Sequence, residues 1–299
     1  MTFGEFEVAD PIGGAIASPP ADPPTEDYPV FLIQPSSGGL FSGFGEAWSY
    51  RELLVVLMRR DVGVRYKQTV LGAGWAILQP LMTMAILSFV FGYVARMGSE
   101  GVPFPIFVLS GLLPWMFFAQ AFSRTGSSLV ANGNLLGKVY FPRLIIPFSA
   151  VLTPLVDFAF ASAVLVALMA WHGIVPGWGL LAVPPFLALA CATALGCGLW
   201  VTSLDVRYRD IGHLVPFLIQ TWMYATPVGY PAGAVPARWR ALYHLNPMAG
   251  VVEGFRWAIL GTPAPDPRAL AVNVATVAAI FLGGLAVFRR TEDSLADLI

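Results

Sequence analysis

Six stretches of this chain run for about twenty residues with almost no charge: roughly 73–95, 104–123, 144–171, 178–203, 212–230 and 269–288. A helix of about 20 apolar residues crosses the hydrocarbon core of a bilayer. Backbone polar groups in lipid must be satisfied within the segment or a closed barrel, so uninterrupted apolar runs of this length point to helices. The fold class expected is therefore an all-α membrane protein with six transmembrane helices. Composition argues the same way. Of 299 residues, 57% are hydrophobic and 12% charged, and the mean hydropathy is +0.69. Soluble domains carry about 25% charged residues, and a soluble globule built from this chain would lack polar residues to cover its outside. A soluble enzyme, a nucleic-acid binder and a disordered chain are all disfavoured, and a net charge of −1 offers nothing to a polyanion.

The parts outside the spans divide the chain into three. Residues 1–45 are rich in Pro, Gly and acidic residues, with no Lys or Arg before Arg51. They have no basic start and no apolar core of a signal peptide, and read as a disordered acidic tail. Residues 46–66 read as an amphipathic interface helix, with Tyr50, Leu53, Leu54, Leu57 and Met58 on one side and Glu52 and Arg59 on the other. The body, 46–290, is one transmembrane domain, and 291–299 a short C-terminal tail. With six spans, the side holding both termini collects twelve Lys and Arg against five on the other, which predicts that both termini are cytoplasmic.

Residues 231–261 are too apolar for an ordinary loop and too interrupted for a span. Pro231, Pro236, Asn246-Pro247 and Gly250 break them, and a re-entrant helical hairpin dipping in from the outer face is expected. Asp157 stands some 13 residues into the third span, about 20 Å along a helix. A carboxylate near mid-membrane marks a functional site or a buried hydrogen bond between helices, and no intramembrane base accompanies it for a proton relay.

Signatures of enzymes are missing. His172, His213 and His244 are scattered, and Cys191 and Cys197 have neither metal-knuckle spacing nor an obvious disulfide partner. Gly133 to Val139 imitates a phosphate loop, but it has too few residues between its glycines and no Ser or Thr after Lys138. The expectation is a chain with no catalytic residue, no metal and no cofactor of its own.

Six motifs stand in a particular order: Arg65-Tyr66-Lys67-Gln68-Thr69-Val70-Leu71-Gly72, Trp75-Ala76-Ile77-Leu78-Gln79-Pro80, Gly111-Leu112-Leu113-Pro114-Trp115, Lys138-Val139-Tyr140-Phe141-Pro142-Arg143, Asp205-Val206-Arg207-Tyr208-Arg209-Asp210 and Leu245-Asn246-Pro247-Met248. Together they resemble the ABC-2 type permeases that export polysaccharides, above all O-antigen, with teichoic-acid and capsule exporters as relatives. The resemblance implies a bacterial inner-membrane half-transporter. Two copies of the chain would form the channel, and two copies of a separate ATPase, which bind ATP and Mg, would dock beneath. The substrate implied is a glycan on a polyprenyl diphosphate lipid, surrounded by membrane lipids and with no nucleic acid involved. A drug or smaller-lipid exporter of the same class is the rival.

On this reading Arg65, Lys67 and Arg143 are candidates for meeting the diphosphate headgroup, because guanidinium pairs with phosphate through its planar fork and Lys as a point charge. The loop 124–143, with Arg124, Leu135, Lys138 and Tyr140, is the expected contact to the ATPase. Trp75, Trp222, Tyr224 and Tyr230 are expected to line the passage, since aromatic faces stack on sugar rings while their polar heads still hydrogen-bond.

Overall fold

The computed structural model describes residues 48–67, 74–138, 141–206 and 210–292, together with Gly45 and Tyr208. The acidic tail before Gly45, the last seven residues of the C-terminal tail and Tyr140 of the expected ATPase contact lie outside the described residues. Among those described there are helices and no strands.

Helix α1, Arg51–Tyr66, buries Leu57 and rests Leu53 and Leu54 on the core, while Glu52 and Arg59 are exposed. Tyr50 is exposed too, since it precedes the helix rather than sharing its stripe. Helix α2, Gly74–Leu87, continues as a π-helical stretch, Ser88–Val94. Helix α3, Phe104–Gly126, is the centre of the molecule, with Phe107, Leu109, Phe118 and Ala121 fully buried. Helix α4, Ile145–Leu152, is followed by α5, Leu155–Trp171, and then by a 3-10 turn leading into α6, Val183–Asp205. Helices α7, Ile211–Ala225, α8, Pro247–Leu260, and α9, Pro267–Glu292, complete the chain.

Among the described residues, five segments are long and apolar enough to cross a membrane: Gly74–Val94, Phe104–Gly126, Ile145–Trp171, Trp178–Asp205 and Pro267–Thr291. The protein is a multi-pass, all-helical membrane protein. Two expectations change. The fifth stretch, expected over 212–230, is helical for only 15 residues, about 23 Å against a core of about 30 Å. Its helix stops at Ala225 because Thr226 is extended before Pro227, as a residue preceding proline prefers. The third stretch is not one helix. It breaks at Thr153 and Pro154, whose missing N–H cannot continue the ladder, and Asp157 falls in the first turn of α5 rather than deep within one long helix.

Glycines set how closely the central helices approach. A Cβ built on Gly284 would stand 2.4 Å from the carbonyl oxygen of Gly196, and one on Gly196 would stand 2.8 Å from the Cα of Phe281. Only residues without a side chain allow α6 and α9 to touch backbone to backbone, as small residues do in membrane helix pairs. Residues 231–261 consist of two 3-10 turns, a short helix Arg240–His244, and α8. With Met248, Val251, Val252 and Phe255 fully buried, α8 is wedged against α3, α6 and α9 and ends at Gly261, whose φ of 68° lies in the left-handed region.

Candidate functional site

A wide groove of about 810 Å³ opens beside the C-terminal end of α7, bordered by Trp222, Tyr224, Tyr230, Trp239, Tyr243 and Phe91. Three of the four residues expected to line a passage therefore meet in one cavity. Trp75 does not join them. It lies in the first turn of α2, half exposed, and borders no part of this groove. Trp222 is held on several sides. Its ring meets Phe118 edge-on at 5.0 Å and Trp115 at 6.4 Å, and its Nε1 donates to Asn246 Oδ1 at 2.8 Å. Tyr224 is 61% exposed, and Tyr230 donates its hydroxyl to the Tyr224 carbonyl at 3.1 Å.

Asn246 ties the groove together. Its Oδ1 accepts from the Met248 N–H at 3.0 Å, capping α8, with Pro247 pre-set for the first helical position. Its Nδ2 donates to the Ala225 carbonyl and to Thr226 Oγ1, and its own carbonyl accepts from Asn273 of α9 at 2.7 Å. One side chain thus joins the frayed end of α7 to α8, while its backbone reaches α9. The motif Leu245-Asn246-Pro247-Met248 is a junction.

Behind the groove lies Arg256, one of the five Lys and Arg that the charge count sets on the side away from the termini. It is 2% exposed. Its Nη2 donates to the Val228 carbonyl at 2.6 Å, Nη1 to the Tyr230 carbonyl at 3.3 Å and Nε to the Phe107 carbonyl at 3.3 Å, and the guanidinium stands 3.7 Å from the centre of the Phe107 ring. Val228 and Tyr230 belong to the irregular chain after α7, whose carbonyls have no helical partner, so a buried cation supplies the missing donors. Gly111 makes the room: a Cβ there would lie 2.6 Å from Arg256 Nη2. This explains the glycine of Gly111-Leu112-Leu113-Pro114-Trp115. Glu253, one turn earlier on α8, accepts from the Tyr243 hydroxyl at 2.5 Å instead of pairing with Arg256.

At the other polar centre, Asp157 receives α1. Arg65 Nη2 meets Asp157 Oδ2 at 2.7 Å, Arg65 Nη1 donates to Gln120 Oε1 at 2.9 Å, and the Tyr66 hydroxyl donates to Asp157 Oδ1. The base that the sequence did not place beside Asp157 is Arg65. Burial, and then the neighbouring carboxylate, push the Tyr66 hydroxyl pKa up to about 12. Of the other expected headgroup residues, Lys67 is exposed and Arg143 half-buried, and neither borders a crevice with Arg65. Of the expected ATPase contact, Arg124 belongs to the last turn of α3, Lys138 is exposed, and Leu135 packs against the core instead of standing free. Among the described residues, no group of three His, Cys, Asp and Glu side chains could hold a metal ion.

Residues 52–260 match the family described as ABC-2 type transporter. The chain is 28% identical over 258 residues to the O-antigen export system permease protein RfbA of Myxococcus xanthus, covering 85% of this chain and 98% of that one. It is 27% identical over 253 residues to the protein of the same name from Klebsiella pneumoniae, covering 83% and 95%. The polysialic acid transport protein KpsM of Escherichia coli is 26% identical over 254 residues, covering 80% and 93%.

Proposed function

Because this chain belongs to the ABC-2 type transporter family, we propose that it is the permease subunit of an ATP-driven exporter that moves a polyprenyl-diphosphate-linked polysaccharide, O-antigen before other glycans, across a bacterial inner membrane. The observation that carries the reading is the aromatic groove of Trp222, Tyr224, Tyr230 and Trp239. Sugar hydroxyls cannot shed water against a purely aliphatic wall without loss, whereas Trp and Tyr offer stacking faces and polar heads together. The names of the polysaccharide-exporting relatives support the same substrate class.

On this proposal α7 is the fifth of six spans, α1 lies in the interface, both termini are cytoplasmic, and residues 231–261 dip in from the outside without crossing. A second copy of the chain covers the exposed apolar side chains of α2, its π-helical continuation and α7, among them Ile86, Phe89, Phe217 and Leu218. ATP and Mg belong to a separate ATPase pair seated under residues 124–143. Closure of that pair tilts the spans as rigid bodies and opens the passage.

A drug or smaller-lipid exporter is the second reading, and the apolar side chains of the groove, Phe91, Met97, Val235 and Leu242, favour it. Replacing Trp222 and Tyr224 together by Ala separates the two. Surface polysaccharide is expected to fall in the double variant while membrane expression and co-purification of the ATPase remain. Wild-type polysaccharide in that strain would remove these rings from the passage, and polysaccharide unaffected by loss of the whole gene would favour the smaller substrate.

A further inference from the structure

Between α1, the end of α3 and α4 lies a crevice of about 490 Å³, within the range of about 300–1,000 Å³ that holds small ligands. Its lining combines the guanidiniums of Arg60, Arg65 and Arg124 and the carboxylate of Asp61 with the apolar side chains of Val64, Ile146 and Ala150. Two of the guanidiniums have counter-ions. Arg60 meets Asp61 at 2.8 Å, and Arg65 meets Asp157 at 2.7 Å. Arg124, half-buried, has no carboxylate within ion-pair distance among the described residues. The crevice therefore holds one positive charge in excess, on the side chain whose flat fork best fits two phosphate oxygens. Arg60 is kept aimed by a further bond to Asn132 Oδ1 at 2.7 Å, which anchors the turn after α3 to α1.

We infer that this crevice binds a phosphate or diphosphate ester, with Arg124 taking the phosphate oxygens and the apolar side chains of Val64, Ile146 and Ala150 taking the start of a lipid chain. The inference rests on the export reading above and gives the headgroup a different set of residues from that expected: Arg65 stays, Arg60 and Arg124 join it, and Lys67 and Arg143 have no part. A half-buried guanidinium without a counter-ion is a cost that an arriving anion removes. Asp157 matters indirectly, since it holds Arg65 at the rim of the crevice rather than leaving it to solvent.

The full chain, reconstituted in nanodiscs with undecaprenyl phosphate and released for native mass spectrometry, tests the lipid source; equilibrium dialysis with radiolabelled inorganic pyrophosphate tests a soluble one. The wild type is expected to retain the lipid. Arg124→Gln should weaken retention about tenfold, in keeping with loss of a charge-assisted hydrogen bond, and Arg124→Lys should restore part of it. Ala131→Trp, which fills the crevice without removing charge, should weaken it as well and carries the test if Arg124→Gln fails to fold. Arg240→Gln, exposed and remote from the crevice, should retain lipid as the wild type does. Pyrophosphate binding that is sensitive to Arg124→Gln, without lipid retention, supports the phosphate site and assigns it a soluble ligand. Wild-type binding of both probes by folded Arg124→Gln and Ala131→Trp overturns the site. Surface polysaccharide in the Trp222 and Tyr224 double variant scores the export reading separately, so either can fail without the other.

Discussion

Arg65 and Arg256 are both drawn out of water by this fold, and they are neutralised in different ways. Arg65, at the end of α1, meets a carboxylate on another element, and its side chain is 29% exposed. Arg256, on α8, has no carboxylate in ion-pair range among the described residues; three backbone carbonyls and one aromatic face surround it. An ion pair between two elements near water can open and be rehydrated at modest cost. A guanidinium sealed among carbonyls cannot leave without stripping the Val228 and Tyr230 carbonyls of its N–H groups. The first arrangement suits a joint and the second suits a fixed anchor.

Arg256→Met is the most severe test of that contrast. It takes from the Val228 and Tyr230 carbonyls the guanidinium that serves them, while the Phe107 carbonyl keeps the Ser110 hydroxyl, and the folded state should lose about 3–5 kcal/mol. The detergent-solubilised variant should elute as aggregate or unfold many degrees early; a melting profile like that of the wild type would mean that water replaces the guanidinium freely. Gly111→Ala should be the next largest. Its new methyl would press on Arg256 Nη2, and overpacking of this kind costs about 1–3 kcal/mol. Thermal unfolding should reveal the loss, and it should largely vanish when measured in an Arg256→Met background.

Asp157→Asn should cost less, about 1–2 kcal/mol, because Arg65 can turn to solvent. The change should appear as detachment of α1, read by pulsed EPR between labels at the exposed positions Val56 and Val130, with the bundle otherwise intact. Tyr66 adds a pH dependence to the same joint. Its pKa is raised in the folded state, so its contribution is complete below the ordinary tyrosine value of about 10 and fades as pH rises towards about 12. The distance between the labels should stay constant through neutral pH and widen only in that alkaline window. Tyr66→Phe should remove the alkaline step; a step that persists in this variant would assign it to another group.

Much of the fold was legible because hydropathy reports what lipid demands of long segments. The ends of Phe104–Gly126 and Trp178–Asp205 fall within a few residues of the uncharged stretches. Errors arose where backbone chemistry intervened inside an apolar run. Pro154 divides the third stretch, and Thr226 before Pro227 shortens the fifth, yet neither changes the mean hydropathy enough to show. The groove was partly legible, since Trp222, Tyr224 and Tyr230 are close in sequence and a short helix with its irregular continuation keeps them near one another. Trp75 belongs to another helix, and no local pattern could place it. Arg256 was missed because loop charges are counted without regard to burial. A lone Arg within the apolar run Ala249 to Leu260, facing broken backbone elsewhere, was the available signal.

The contact between Gly196 and Gly284 constrains how such a molecule can work. Where two helices meet through bare backbone there is no side chain at the contact to re-pack, and beside it Trp200 of α6 is tied through Nε1 to the Ile280 carbonyl of α9 at 3.2 Å, so α6 and α9 cannot slide or rotate against each other by small steps. They form a single beam. Any cycle that widens a passage must place its moving seam elsewhere. The natural place is along α2, whose inward contacts are few, with only Ala76, Pro80 and Leu87 buried, and along α7, where Val215 alone is buried.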